Sequence, residues 1–337
     1  MDYADSPYRP RLHFWFGPLS MLDFLMNSYQ SLNGGSWNWT PGTVYEAHSW
    51  QLKAGMSSVI DDVRNNHPND LVGMVMFAAD VHNSIRVPMG QDYPTLKNAL
   101  FYPKSLLPTI ASGDVTTEIR PYTQAWGSVA ADEIPNSNGS TDPDTGLAYA
   151  FNLLAPSSLL PANLYRPSAG FGARRGAGKL VIFETDGVPN TYRALTLNKA
   201  GYNTYYSVGV SSGNVGNGNA TSQTMAYGVI QQIAKPMSTV TTAGTDSGLS
   251  LPNAPARVYP LAFGDLFDPD IAPAATYRPT ALAFLAKCAE YGNTGPAGAT
   301  TLPSNQVITG PYLQRITRMR DTLQMIFQSG VSVTLVE

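Results

Sequence analysis

Apolar residues in this chain gather into short continuous runs, separated by stretches whose apolar positions recur at helical spacing. Leu12 to Phe16 (LHFWF) is one such run, stopped by Gly17-Pro18, and predicts a buried strand over 11–16. Residues 19–31 follow as a candidate helix, and 32–45 read as loop. From Glu46 to Arg64, Leu52, Met56, Val59, Ile60 and Val63 mark one face of a helix that His67-Pro68-Asn69-Asp70 breaks. LVGMVMF (71–77) has the unbroken apolarity of a central parallel strand covered on both faces. A weaker, edge-like strand is expected over 82–88, then a short helix from Pro94 to Phe101.

The second half repeats the alternation. Thr145 to Leu154 predicts a brief helix, KLVIFET (179–185) a core strand, and Thr221 to Ala234 a helix. RVYPLAF (257–263) is a third core strand, and Pro279 to Tyr291 an Ala-rich helix stopped by Gly292. Thr309 and Pro311 introduce an amphipathic helix ending at Gly330, and a strand over 331–336 closes the chain. Strands alternating with helices predict an α/β fold around a mostly parallel sheet, which binds ligands at the carboxyl ends of its strands. Three segments, 21–45, 102–139 and 191–255, stand outside the alternation as insertions, and 191–219 shows little apolar periodicity.

Composition narrows the function classes. Charged residues are 13% of the chain, about half the usual fraction, while Gly, Pro and Tyr are plentiful. Such a surface suits an exported protein. The net charge of −3 and the lack of a basic run leave no footprint for nucleic acid. Cys288 is the one cysteine, so no intrachain disulfide can form. No stretch approaches the roughly 20 apolar residues of a membrane span. The opening MDYADSPYRP has neither a basic nor an apolar region of a signal peptide, so an export or anchoring segment is expected to lie outside this chain.

Three polar segments are placed where strands end or helices begin: FGPLSM (16–21), STDPDTGL (140–147) and ETDGVPN (184–190). Their order resembles the von Willebrand factor A family. That family builds a metal-ion-dependent adhesion site from an Asp-x-Ser-x-Ser motif, a loop threonine and the aspartate of a Thr-Asp-Gly turn. The resemblance implies a single Rossmann-like domain over 1–337, helices on both faces of the sheet, and no catalysis. It also implies a Mg²⁺ or Mn²⁺ ion that captures a partner's carboxylate, because hard cations take oxygen ligands and an open position. Asp186 matches the turn carboxylate, Thr141 the loop threonine and Ser20 the second serine, with Met21 behind it. Phe16 and Pro18 stand where the family has its aspartate and first serine, so the site is degenerate. Asp142 and Asp144 either compensate for the lost ligands or cap the helix at 145.

Two function readings follow from the resemblance. The preferred one is a protein-interaction domain, exported or membrane-anchored, that binds its partner through the insertions around a degenerate metal site. Bacterial pilus-assembly proteins of the TadG type are similar in pairing such a domain with a membrane anchor. The alternative is a divalent-metal-dependent adhesin that binds an acidic protein ligand through Ser20, Thr141 and Asp186. Hydrolase chemistry is remote. GARRGAGK (172–179) lacks the first glycine and the final Ser/Thr of a phosphate loop and precedes a strand. Gly209-Val210-Ser211-Ser212-Gly213 fits a nucleophile elbow by letter but has no helix pattern after it, and a loop is expected there. Asp265, Asp268 and Asp270 read either as a solvated turn or as a surface Ca²⁺ site.

Overall fold

The computed structural model describes residues 47–78, 83–100, 140–154, 178–200, 203–234, 256–270 and 275–330. The strands expected over 11–16 and 331–336, the helix over 19–31, and the insertions 21–45 and 102–139 lie outside the described residues. The chain divides into two compact units. The first comprises Met1–Pro68, Asp92–Asn138 and Pro311–Arg320; the second comprises Asn69–Gln91, Gly139–Gly310 and Asp321–Glu337.

In the first unit, α1 (Ala47–Asn66) buries Val59, Ile60 and Val63, the apolar face read from the sequence. Helix α2 (Tyr93–Ala99) carries Pro94 in its first turn, with Asp92 accepting the Thr95 N–H and hydroxyl as its N-cap. An ion pair, Lys97 Nζ to Asp61 Oδ2 at 2.6 Å, and the Tyr93 hydroxyl bond to the His67 carbonyl tie α2 to α1. Gly55 admits a close neighbour: a Cβ there would stand 2.7 Å from Met319 Cγ.

The second unit is mixed α/β. Strands β1 (Val72–Met76) and β2 (Ser84–Gly90) pair antiparallel in a two-stranded sheet of their own, so the apolar run 71–77 is not the central parallel strand covered on both faces that it predicts; of β1 only Met74 is buried. A three-stranded parallel sheet has the order β3 (Lys179–Thr185), β6 (Ala256–Phe263), β7 (Val307–Ile308). Between β3 and β6 in sequence come a hairpin, β4 (Thr191–Ala200) with β5 (Asn203–Asn214), and helix α4 (Ala220–Ala234). Helices α3 (Pro143–Leu154), α5 (Arg278–Tyr291) and α6 (Tyr312–Gly330) complete six α-helices among the described residues. Proline at the middle of β6 is tolerated because, among the described strands, β7 joins β6 only at Ala262 and Phe263, beyond Pro260.

One core holds this unit together. Phe183 of β3 contacts Phe77 and Phe284 at ring separations of 5.5 and 6.2 Å, and Val258, Ala262, Ile230, Leu147 and Leu285 close around it. Burying each such side chain stabilises the fold by about 1.5–3 kcal/mol. Gly146 lets α3 approach Phe77, since a Cβ would fall 2.7 Å from Phe77 Cβ.

The described part of the insertion 191–255 holds a hairpin and a helix, joined by the loop 215–219. In the β4–β5 hairpin, Leu195 pairs with Val208 and Leu197 with Tyr206, and all four pack on the core. Ala194 and Thr196, on the opposite face, are exposed. The period-2 pattern is therefore present, but register shifts on both sides of Arg193 interrupt it. Gly209 lies in the second irregular stretch, where a Cβ would stand 2.9 Å from the Ala194 carbonyl oxygen. The G-x-S-x-G letters consequently sit in β5, not in a loop and not at a helix start.

Candidate functional site

The site begins with two turns that the parallel sheet and α3 bring together. The turn after β3 is closed by the Thr185 hydroxyl, which accepts the Gly187 N–H at 3.2 Å. Asn190 then reaches across to the segment before α3. The Thr141 N–H donates to Asn190 Oδ1 at 2.7 Å, and the Thr141 carbonyl accepts the Asn190 and Thr191 N–H groups at 3.1 and 3.2 Å. Gly187 is needed at this contact: a Cβ there would stand 2.8 Å from Thr141 Oγ1. The loop threonine and the Thr-Asp-Gly turn thus meet at the carboxyl end of β3. Ser20, Phe16 and Pro18 lie outside the described residues.

A glycine-rich loop borders the same place. The Val215 N–H donates to the Asn190 carbonyl at 2.8 Å and the Gly218 N–H to the Pro189 carbonyl at 2.9 Å, while Asn190 Nδ2 donates to Asn217 Oδ1 at 3.0 Å. Gly216 and Gly218 hold φ of 88° and 71°, a backbone region that favours glycine. Asn219 ends this loop by accepting the Thr221 N–H at 2.8 Å, which caps α4.

Beneath these turns lies a buried polar cluster. Asp142, with no exposed surface, is the N-cap of α3: its Oδ1 accepts the Thr145 N–H at 3.4 Å and its Oδ2 the Thr145 hydroxyl at 3.0 Å. The helix starts at Pro143, two residues before the predicted Thr145, because proline loses no hydrogen bond at the first helical position. Asp142 Oδ2 also accepts Asn83 Nδ2 at 2.7 Å and lies 3.6 Å from Arg193 Nε. Asp144, equally buried, uses Oδ2 to accept the Arg193 N–H at 3.1 Å, and its Oδ1 makes no hydrogen bond.

Electrostatics follow from that enclosure. Burial, then the adjoining Asp142 side chain as hydrogen-bonding neighbour and like charge, pushes the Asp144 carboxyl up to about 9. Asp144 is therefore a neutral acid at neutral pH. Burial also lowers the Arg193 guanidinium from its ordinary value. Glu184, on the same strand end as Asp186, is pushed well above the usual carboxylate range by burial and then by the Asp186 charge.

Among the described residues, no group of three or more His, Cys, Asp or Glu side chains could hold an ion. Asp142 has its oxygens engaged by Thr145, Asn83 and Arg193, and Asp144 Oδ2 accepts the Arg193 N–H. Of the expected set Ser20, Thr141 and Asp186, Thr141 and Asp186 are described and Ser20 lies outside the described residues. Of the two roles open to Asp142 and Asp144, the first caps the helix and the second binds β4.

The remaining sequence candidates resolve locally. Asp268 is buried, not solvated: Oδ1 accepts the Asp270 N–H and Oδ2 the Gly310 N–H, both at 2.9 Å. It fastens the turn after β6. A shallow groove of about 640 Å³ between α4 and α5 is lined by Tyr227, Thr280 and Lys287 among others; the Tyr227 hydroxyl donates to Gln223 Oε1 and Lys287 Nζ to Glu290 Oε2. No helix among the described residues is long and apolar enough to cross a membrane.

Asn83, Asn152 and Arg193 are the structural participants that sequence reading missed. Arg193 had a signal: it precedes Leu195 and Leu197 at strand spacing, a charge in line with two core positions. Asn83 and Asn152 had none. Comparison with known proteins returns no match of any kind, since no family model, no curated protein and no solved structure matches the chain.

Proposed function

We propose that this chain carries a von Willebrand A-like, Rossmann-like domain that binds a protein partner and performs no catalysis. Its binding face is the carboxyl end of β3, where Thr141, Asp186, Asn190 and the 215–219 loop converge. The observation that carries the reading is the Thr141–Asn190 staple, with Gly187 against the Thr141 hydroxyl. It joins the loop before α3 to the turn after β3, as the resemblance implies. Parallel α/β sheets place ligands at this end, and the β4–β5 hairpin rises from the same turn. The low charge content agrees with an exported or membrane-anchored protein, and a pilus-associated role of the TadG kind is the specific form we favour. The metal-dependent alternative, through Ser20, Thr141 and Asp186, keeps support only from the same Thr141–Gly187 approach.

A photo-crosslinking amino acid placed at exposed Asn217 tests the face against one at exposed Gly178, just before β3 at the opposite end of the sheet. In the native envelope fraction, Asn217 is expected to give a discrete protein adduct and Gly178 none. Equal adducts at both positions, or none at Asn217, would remove this face from the account.

A further inference from the structure

We propose that Arg193 is the resident cation of this cleft, neutralising the buried Asp142 carboxylate so that the face assembles without a divalent ion. The inference deepens the reading above and rests on it for the purpose of the face. A carboxylate with no exposed surface requires a countercharge or a full set of donors. Asp142 has both: Asn83 Nδ2 at 2.7 Å, the Thr145 hydroxyl at 3.0 Å, the Thr145 N–H at 3.4 Å, and Arg193 Nε at 3.6 Å. The cation is placed from two directions. Its backbone N–H is held by Asp144 Oδ2 at 3.1 Å, and its side chain, with 16% exposure, points at Asp142.

The placement has a structural consequence. Arg193 sits between the two register shifts of the β4–β5 hairpin, so the irregular stretch is where the hairpin is fastened to α3. Farther along, Asn152 of α3 donates to the Tyr206 carbonyl at 2.9 Å and accepts the Tyr206 N–H at 2.8 Å. One helix thereby grips both strands, at Arg193 and at Tyr206. Asp142 also neighbours Thr141, the residue stapled to Asn190. The Arg193–Asp142 pair therefore sets the position of the Thr141 loop as well as the hairpin, and Arg193 acts as a positioning residue for the face.

The test combines calorimetric titration of Mg²⁺ and Mn²⁺ with a melting-temperature cycle over wild type, Asp142→Asn, Arg193→Met and the double variant. Wild type is expected to give no ion heat and the same melting temperature in EDTA as in excess Mg²⁺. Arg193→Met strands a buried charge and is expected to melt on the order of 5–10 °C lower. The double variant removes both charges and should recover most of that loss. If Arg193→Met does not fold, a folded double variant carries the same support, and an unfolded double variant overturns the proposal. It is also overturned by ion heat in wild type that Asp186→Ala abolishes, by an Arg193→Met variant that melts like wild type, or by additive losses. Each of these outcomes leaves the protein-binding reading to be judged by the crosslinking result.

Discussion

Replacing Asp144 by asparagine is expected to remove part of the protein's pH dependence and to stabilise it in mildly alkaline solution. Asp144 has no exposed surface, and burial together with Asp142 raises its carboxyl to about 9. The unfolded chain offers an ordinary aspartate near 3.9. Between those values the native state holds a proton that the unfolded state has released. The contribution of the group is therefore complete below pH ~4 and is lost as pH rises toward about 9. A full proton difference corresponds to about 1.4 kcal/mol per pH unit. Between pH 6 and pH 8 the group thus costs wild type on the order of 3 kcal/mol that Asp144→Asn does not lose. Asparagine keeps an oxygen for the Arg193 N–H at 3.1 Å and adds an N–H₂ donor beside Asp142. Urea unfolding at pH 6, 7 and 8, with the two proteins side by side, measures the difference. Glu184 tilts both curves alike because it is present in both proteins. Parallel curves for wild type and variant would refute the assignment of Asp144 as a native-state neutral acid.

Two packing predictions test the frame around the site. Asn152→Ala leaves the buried Tyr206 N–H and carbonyl without partners and should destabilise by about 2–4 kcal/mol, with faster amide exchange at Tyr206; unchanged exchange there would contradict the grip on β5. Gly292→Ala places a Cβ 2.6 Å from Val258 Cβ and 2.7 Å from the Val258 oxygen, both on the central strand, and should cost about 1–3 kcal/mol in urea unfolding. A neutral result would show that the turn after α5 yields easily.

Strand β6 was legible because burial on both faces writes an apolar run, and β3 because Leu180 to Phe183 is apolar throughout, although of β3 only Phe183 and Thr185 are fully buried. KLVIFET became β3 to the residue, and RVYPLAF became β6 with Ala256 added. Helix α1 was legible for a different reason, since a 3.6-residue apolar period survives over three or more turns, and α5 by its alanine content and the Gly292 stop. The hairpin was not. Its inward positions, Leu195, Leu197, Tyr206 and Val208, alternate as a strand should with Ala194, Thr196, Asn198, Ser207 and Gly209, but only over a few residues before register shifts break the period. Strand β7 was hidden by its length of two residues. Of the site, Thr141 and the Asp186 turn were readable as motifs, and the structure joins them through Asn190. Arg193 and Asn83 became partners of Asp142 only through pairings that span 51 and 59 positions of sequence, which no local pattern encodes. Asp142 itself illustrates the limit: the helix start was misplaced by two residues, and with it the choice between cap and ligand.

The central claim, a protein-binding face around Thr141 and Asp186, is tested most directly by the affinity of the partner crosslinked through Asn217. Its binding to wild type, to Asn217→Arg and to Gly178→Arg is measured in EDTA. The account predicts at least about tenfold weaker binding for Asn217→Arg, roughly 1.4 kcal/mol or more, and wild-type affinity for Gly178→Arg. Equal affinity for all three proteins, or binding lost in every case once divalent ions are removed, would contradict it.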